Sequence, residues 1–305
     1  MFAGFRLDLS DYGKNDDKFI DFSDYQEEGC QHLADQKAQI ETELERFIYN
    51  DGDEQTIDGT LLQENFFPQV EADIFISHSH DDKELADGVA GWLHREFGLR
   101  CFVDSNVWGC ANTLLEELNT RYSNKRSDGC GGYLYSYEKC IAASRHVDMM
   151  LNIALQRMID RTEAAFLLYT DKSVPQYGGS SHDRTYSPWI YSEIVCSDIV
   201  RKKPLWEYRP VSLLRCLSEA SESFAHGDRA EPQLKIAYEV STEHLTKLDS
   251  LQLWQWSLYH EVYHYKFPLD GLYYYTLGKE VENLRRAYQS QNARNLFFNG
   301  KGLTR

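Results

Sequence analysis

Three short patterns in this 305-residue chain hold residue types that could do chemistry. The first is LYHEVYHYK (258–266), which contains H-E-x-x-H. On a helix, His260 and His264 would fall at i and i+4 and offer two imidazoles to zinc, with Glu261 as general base. Glu282 lies downstream, near the separation used for a third ligand. Against that reading, Pro268 follows almost at once, and WQWSLYHEVYHYKF alternates aromatics where a helix should show one apolar stripe. No metal site is therefore expected. The second pattern is SPWIYSEI (187–194), in which Ser187 can cap a helix that has Pro188 at its first position. Trp189 and Glu193 then share one face at i, i+4. The third is HSHDD (78–82), where His78 and His80 lack further ligands at metal spacing and suit a ligand-facing loop.

The elements that must position these groups can be read from apolar periodicity. DIFIS (73–77), LRCFVD (99–104) and AAFLLYT (164–170) are strand-like, the last apolar throughout, as a strand buried on both faces should be. Between them, Asp82 can cap a helix from Lys83 to Phe97, with Leu85, Val89, Trp92 and Leu93 on one face. A second helix is expected around 144–161, and a third from Ser187 to the cations Arg201, Lys202 and Lys203. Strand alternating with helix predicts a flavodoxin-like, doubly wound parallel α/β sheet. LKIAYEV (234–240) reads as a fourth strand and 270–292 as a closing helix. Residues 1–70 read as a helical N-terminal extension, carrying a helix over 23–49 with a Ser23/Gln26 capping box. The α/β domain is then 71–305, most clearly over 72–203 and less so over 204–305.

In such sheets ligands bind outside the carboxyl ends of the strands. Those ends carry Ser77, His78 and Ser79, then Asp104 to Trp108, then Asp171. No glycine-rich phosphate loop follows any strand, so neither a dinucleotide fingerprint nor a P-loop is expected. With 32 Lys+Arg against 48 Asp+Glu, the net charge is −16, which disfavours nucleic acid and anionic membranes as partners. The seven cysteines are scattered and never form C-x-x-C. The start lacks a signal-peptide pattern, no apolar run is long enough to span a bilayer, and a cytoplasmic protein is expected.

DIFISHSHDDKELADGVAGWL, GLRCFVDS, AAFLLYT and SPWIYSEI, in that order, resemble a Toll/interleukin-1 receptor (TIR) domain of the bacterial kind found in antiphage defence systems such as Thoeris. The resemblance covers roughly 72–203. It implies that Glu193 in the S-x-W-x-x-x-E helix is the essential glutamate of an NAD+ glycohydrolase or cyclase. NAD+ is then a substrate, not a resident cofactor, and Trp189, Ser187, His78, Ser79, Asp104, Trp108 and Asp171 are candidate substrate contacts. It also implies self-association, a phage-derived trigger, and a downstream effector that senses an ADP-ribose-derived product. The chemistry needs few groups. Nicotinamide leaves as a neutral pyridine, so one carboxylate facing the developing cation suffices and no general acid is required. Two other readings stay open: a TIR-type interaction module with an idle Glu193, and the H-E-x-x-H metalloprotease.

Overall fold

The structure, a computed structural model, describes residues 1–9, 20–37, 47–51, 54–108, 111–175, 183–209, 238–277 and 281. Its centre is a parallel sheet of five strands: β1 (Ala3–Asp8), β2 (Ile74–Ser77), β3 (Cys101–Phe102), β4 (Ala164–Tyr169) and β5 (Thr246–Leu248). The spatial order is β5-β1-β4-β2-β3, and every neighbouring pair is parallel. Omitting β1 leaves β3-β2-β4-β5, in which the chain steps outward to β3 and then returns past β2 to β4. The reversal between β2 and β4 is the switch point where a doubly wound sheet opens its ligand crevice.

β1 corrects the expected N-terminal extension. It pairs with β4 along its whole length, from Ala3 opposite Ala164 to Asp8 opposite Tyr169, and carries β5 on its other side. Phe5 packs edge-on to Phe166 and stacks on Tyr273, so the first strand and the last described helix share one core. The hydrophobic cluster runs unbroken from Met1 to Val281. Nothing separates at residue 70, because Phe5 and Leu7 are buried only where β4 and β5 flank them.

Helix α1 (Gln26–Lys37) packs closely along α3 (Lys83–Phe97). A Cβ on Gly29 would stand 1.9 Å from the Asp87 carbonyl oxygen, and one on Gly91 2.1 Å from that of Tyr25. Only hydrogen fits at either position. The predicted helix over 23–49 is α1 alone among described residues, since 38–46 lie outside them. It is preceded by a 3-10 turn (Phe22–Tyr25) capped by Asp21 and followed by a hairpin of Ile48–Asp51 with Glu54–Ile57. Helix α2 (Gly59–Phe66) then buries Leu62 and Phe66.

After β3 comes more helix than expected: α4 (Asp104–Val107), α5 (Ala111–Tyr122), a small hairpin of Arg126–Ser127 with Tyr133–Leu134, and α6 (Tyr137–Arg161). Helix α7 (Pro188–Ile199) stops before the cations predicted at its end, although Lys202 Nζ reaches back to the Ser197 carbonyl at 2.8 Å. The expected fourth strand over 234–240 is displaced. Of its described residues, Tyr238–Glu239 pair antiparallel with Arg184–Thr185, and the sheet's place goes to Thr246–Leu248. Helices α8 (Ser250–Tyr263) and α9 (Pro268–Thr276) follow; past Leu277, which caps α9, the predicted closing helix lies outside the described residues except for Val281. No described helix is long and apolar enough to cross a membrane.

Candidate functional site

The site assembles at the carboxyl ends of β2, β3 and β4. Ser77 ends β2, and its hydroxyl donates to Glu193 Oε2 at 2.5 Å. Glu193 sits on α7, whose start is fixed by the Ser187 side chain accepting from the Ile190 amide at 3.2 Å, with Pro188 at the first helical position. The segment entering α7 is tied to the sheet through Asp183, which accepts from the Tyr169 hydroxyl (2.7 Å), Thr242 (2.9 Å) and Arg6 (3.3 Å). Arg6 also lies over the Tyr169 ring, 3.4 Å from its centroid. Burial and the bond to Asp183 push the Tyr169 hydroxyl up to about 12.

Glu193 is buried, and burial is the main reason its carboxyl is held well above the usual carboxylate range; the neighbouring charge of Asp104 adds to this and the Ser77 bond opposes it. Asp104 opens α4 and keeps some solvent contact. His78 stands beside it, its side chain almost fully enclosed. Nε2 is 2.9 Å from Ser105 Oγ, and Nδ1 is 3.7 Å from Asp104 Oδ1 and makes no hydrogen bond. Ser77, His78, Asp104, Ser105 and Glu193 thus form one polar cluster with two carboxyl groups and an imidazole. The void against Glu193 is about 10 Å³, lined by Ser77, Phe75, Leu167, Ile194, Ser197 and Leu245 among others. That is room for roughly one water molecule.

The other candidates fall elsewhere. Trp108 is a core residue: its ring packs against Phe67 and Phe102 and its indole N–H donates to the Pro68 carbonyl at 3.1 Å. It therefore cannot serve as an exposed nucleotide platform. Trp189 is half-buried against the main core, Ser187 is used as a cap, and Asp171 is exposed. Ser79 precedes a 3-10 turn without a side-chain cap bond. Asp82 does not cap α3 with its side chain. It accepts from the Thr170 hydroxyl at 2.5 Å and pairs with Lys172 at 3.0 Å, joining the ends of β2 and β4.

Sequence reading missed Ser77 and Ser105 as partners of the acidic and imidazole groups, and it missed Ser197, His244 and Asp198 altogether. Ser197 Oγ is 2.8 Å from His244 Nε2, and His244 Nδ1 is 3.8 Å from Asp198 Oδ1, a nucleophile-base-acid order. The hydroxyl proton, however, goes to the Ile194 carbonyl at 2.7 Å, so the imidazole is not aligned to remove it. Burial pushes the Cys196 thiol up to about 11, which leaves it unreactive.

H-E-x-x-H loses its helical premise. His264 is the left-handed residue (φ 50°, ψ 52°) that ends α8, so its imidazole leaves the face on which His260 sits. His260 lies against Phe97, and burial lowers its basicity. Glu282 is outside the described residues, among which no group of three or more potential ligands gathers.

A larger cavity, about 280 Å³, opens at the other end of the strands, beside the amino ends of β2, β3 and β4, between Glu71, Asp73, Arg100, Arg161, Glu163 and Tyr208. Its charged walls are mostly committed: Arg100 binds Asp73 and Glu71, and Glu163 takes both ends of the buried Arg209 guanidinium. In comparisons with known proteins, no family model, no curated protein and no solved structure matches the chain.

Proposed function

We propose that this chain is a TIR-like enzyme that cleaves the nicotinamide–ribose bond of NAD+, with Glu193 as its catalytic carboxylate. The observation that carries the reading is the placement of Glu193. It is a buried carboxyl at the switch point of a parallel sheet, held by Ser77 and flanked by Asp104. A buried acid kept protonated ionises only when something compensates the negative charge that forms. The pyridinium of NAD+ is such a group. Brought against Glu193, it favours the carboxylate, which then opposes the positive charge growing on the ribose as neutral nicotinamide departs. Asp104 and the His78 beside it are suited to the ribose hydroxyls.

A void of about 10 Å³ is far below the few hundred Å³ that a nucleotide needs, so the reading requires a second, open state. A trigger acts by binding that state better, and the ligand-free enzyme is then nearly silent. Whether water or the adenine ring captures the ribosyl cation separates glycohydrolase from cyclase, and either product suits a signal read by an effector in antiphage defence. A second reading draws on the same enclosure of Glu193: a non-catalytic TIR-type interaction module.

Chromatography of NAD+ incubated with the protein, with and without phage-infected lysate, separates the two. Free nicotinamide is expected in the stimulated sample. Glu193→Gln should abolish it, because the amide keeps shape and the Ser77 bond but cannot ionise. Nicotinamide release undiminished in this variant would remove Glu193 from the chemistry. No release under any stimulus would leave the interaction module.

A further inference from the structure

His78 is the least explained polar group of the cluster. Its side chain is 1% exposed, yet only one ring nitrogen has a hydrogen-bond partner. Nε2 lies 2.9 Å from Ser105 Oγ, whereas Nδ1 faces Asp104 Oδ1 at 3.7 Å. An imidazole buried for packing alone satisfies both nitrogens, because leaving one unpaired is costly. The charge facing each nitrogen sets the tautomer. The proton belongs on Nδ1, since a bare lone pair would be repelled by the carboxylate in front of it. Nε2 is then unprotonated and accepts from the Ser105 hydroxyl, which makes no other hydrogen bond among the described residues. Ser197 differs on this point, because its proton is spent on the Ile194 carbonyl.

We propose that Ser105, His78 and Asp104 form a nucleophile-base-acid triad that hydrolyses a carboxylic ester or thioester at Ser105. This activity uses neither NAD+ nor Glu193 and stands apart from the NAD+ reading. Ser105 sits on the turn from β3 into α4, and His78 follows β2, the strand paired with β3. Strand-to-helix turns lift a serine hydroxyl clear of the sheet. Helix α4 is pinned, with Asn106 Nδ2 donating to the buried Asp87 and the Trp108 indole to the Pro68 carbonyl. Ser105 is half-buried and keeps solvent contact, unlike the enclosed Glu193. The Asp104 leg is long, but catalytic hydrogen bonds are often loose without substrate and tighten when it binds. Closing this one takes roughly half an ångström.

As Ser105 Oγ attacks the acyl carbon, its proton passes to His78 Nε2, and Asp104 stabilises the imidazolium. Collapse of the tetrahedral adduct breaks the bond to the alcohol or thiol, which leaves with the proton from Nε2. Water then attacks the acyl-serine and gives a proton to Nε2. Ser105 takes that proton back as the carboxylic acid departs. The electrophile is an uncharged acyl group, because Asp104 and a net charge of −16 repel a phosphate monoester dianion.

Reaction of the full-length chain with a fluorophosphonate and with p-nitrophenyl acetate tests this directly. Peptide mass spectrometry is expected to find the phosphonate on Ser105. Nitrophenol release should fall about a hundredfold or more in Ser105→Ala, and His78→Gln should lose labelling to a similar degree. Ser105→Cys keeps a nucleophile and should regain acylation, seen as an acetyl group at position 105. Thermal melts check that each variant is folded; should the buried His78→Gln fail, the two Ser105 variants still decide. A wild type that the fluorophosphonate leaves unmodified, modification elsewhere in place of Ser105, or nitrophenol release undiminished in Ser105→Ala would each overturn the proposal. None of these outcomes bears on Glu193, because no NAD+ is present.

Discussion

At the scale of single residues, Glu193 couples function to stability. Its folded-state pKa lies above the value of about 4.3 for a free glutamate side chain, chiefly through burial. Between those two values the folded chain binds one more proton than the unfolded chain, so stability must fall as pH rises through the window. The favourable share of the protonated acid is complete below the unfolded value and lost on passing the folded one. Glu193→Gln removes the titration and keeps the acceptor for Ser77. Its stability should therefore match wild type near pH 4 and exceed it increasingly above, by up to about 1.4 kcal/mol per pH unit across the window. Denaturant midpoints of both proteins from about pH 4 to 8 measure this, and parallel curves would mean that Glu193 ionises freely in the folded state. The acidic and imidazole members of the cluster were legible, His78 and Asp104 as polar residues at strand ends and Glu193 on the helix opened by Ser187-Pro188. Their partners were not, because Ser77 meets Glu193 across 116 positions and Ser105 meets His78 across 27. Trp108 misled for a related reason. A tryptophan after a strand reads equally as platform or core, and only the Pro68 carbonyl at its indole N–H decides.

At the scale of elements, legibility followed length and punctuation. β2 and β4 are unbroken apolar runs, and α7 announces itself with Ser187-Pro188. LRCFVD marked β3, although only Cys101–Phe102 join the ladder, whereas β5 has three residues, too few for a period to emerge, and exists because β1 supplies its ladder. α8 shows why H-E-x-x-H failed: five letters specify ligand geometry only if the helix continues through the second histidine. It ends there instead, with the His264 amide bonded to the His260 carbonyl at 2.8 Å. A non-glycine residue in this left-handed conformation is strained, so His264→Gly should raise stability by roughly 0.5–1 kcal/mol. Urea midpoints of the variant check this, and a loss of stability would show that the imidazole makes a contact worth more than the strain.

At the scale of the whole molecule, the chain closes on itself: its first strand lies between β4 and β5, and α9 locks the far end. Arg209, itself buried, binds Glu163 at the start of β4 and Asp270 on α9, so the 200s segment is pinned to both. The sequence concealed this closure because the alternation of Phe5 and Leu7 with Arg6 and Asp8 in β1 sits where an extension was expected. The consequence is that the α/β unit cannot begin at residue 71. A chain of 71–305 would lose the buried Met1, Phe5, Leu7 and Leu9, on the order of 6–12 kcal/mol of apolar burial. That is comparable with the entire stability of a typical domain, about 5–15 kcal/mol. It would also uncover the backbone of α3 where Gly29 now touches Asp87, and leave unpaired the ladder edges of β4 and β5 that β1 occupies. The 71–305 fragment is therefore expected to aggregate or to lack a cooperative thermal transition, where the full chain shows one. Adding residues 1–70 back as a separate polypeptide should restore the transition, because β1 needs only β4 and β5 beside it. A 71–305 fragment that unfolds cooperatively and stays monodisperse alone would make the N-terminal strand an accessory to the sheet and not its centre.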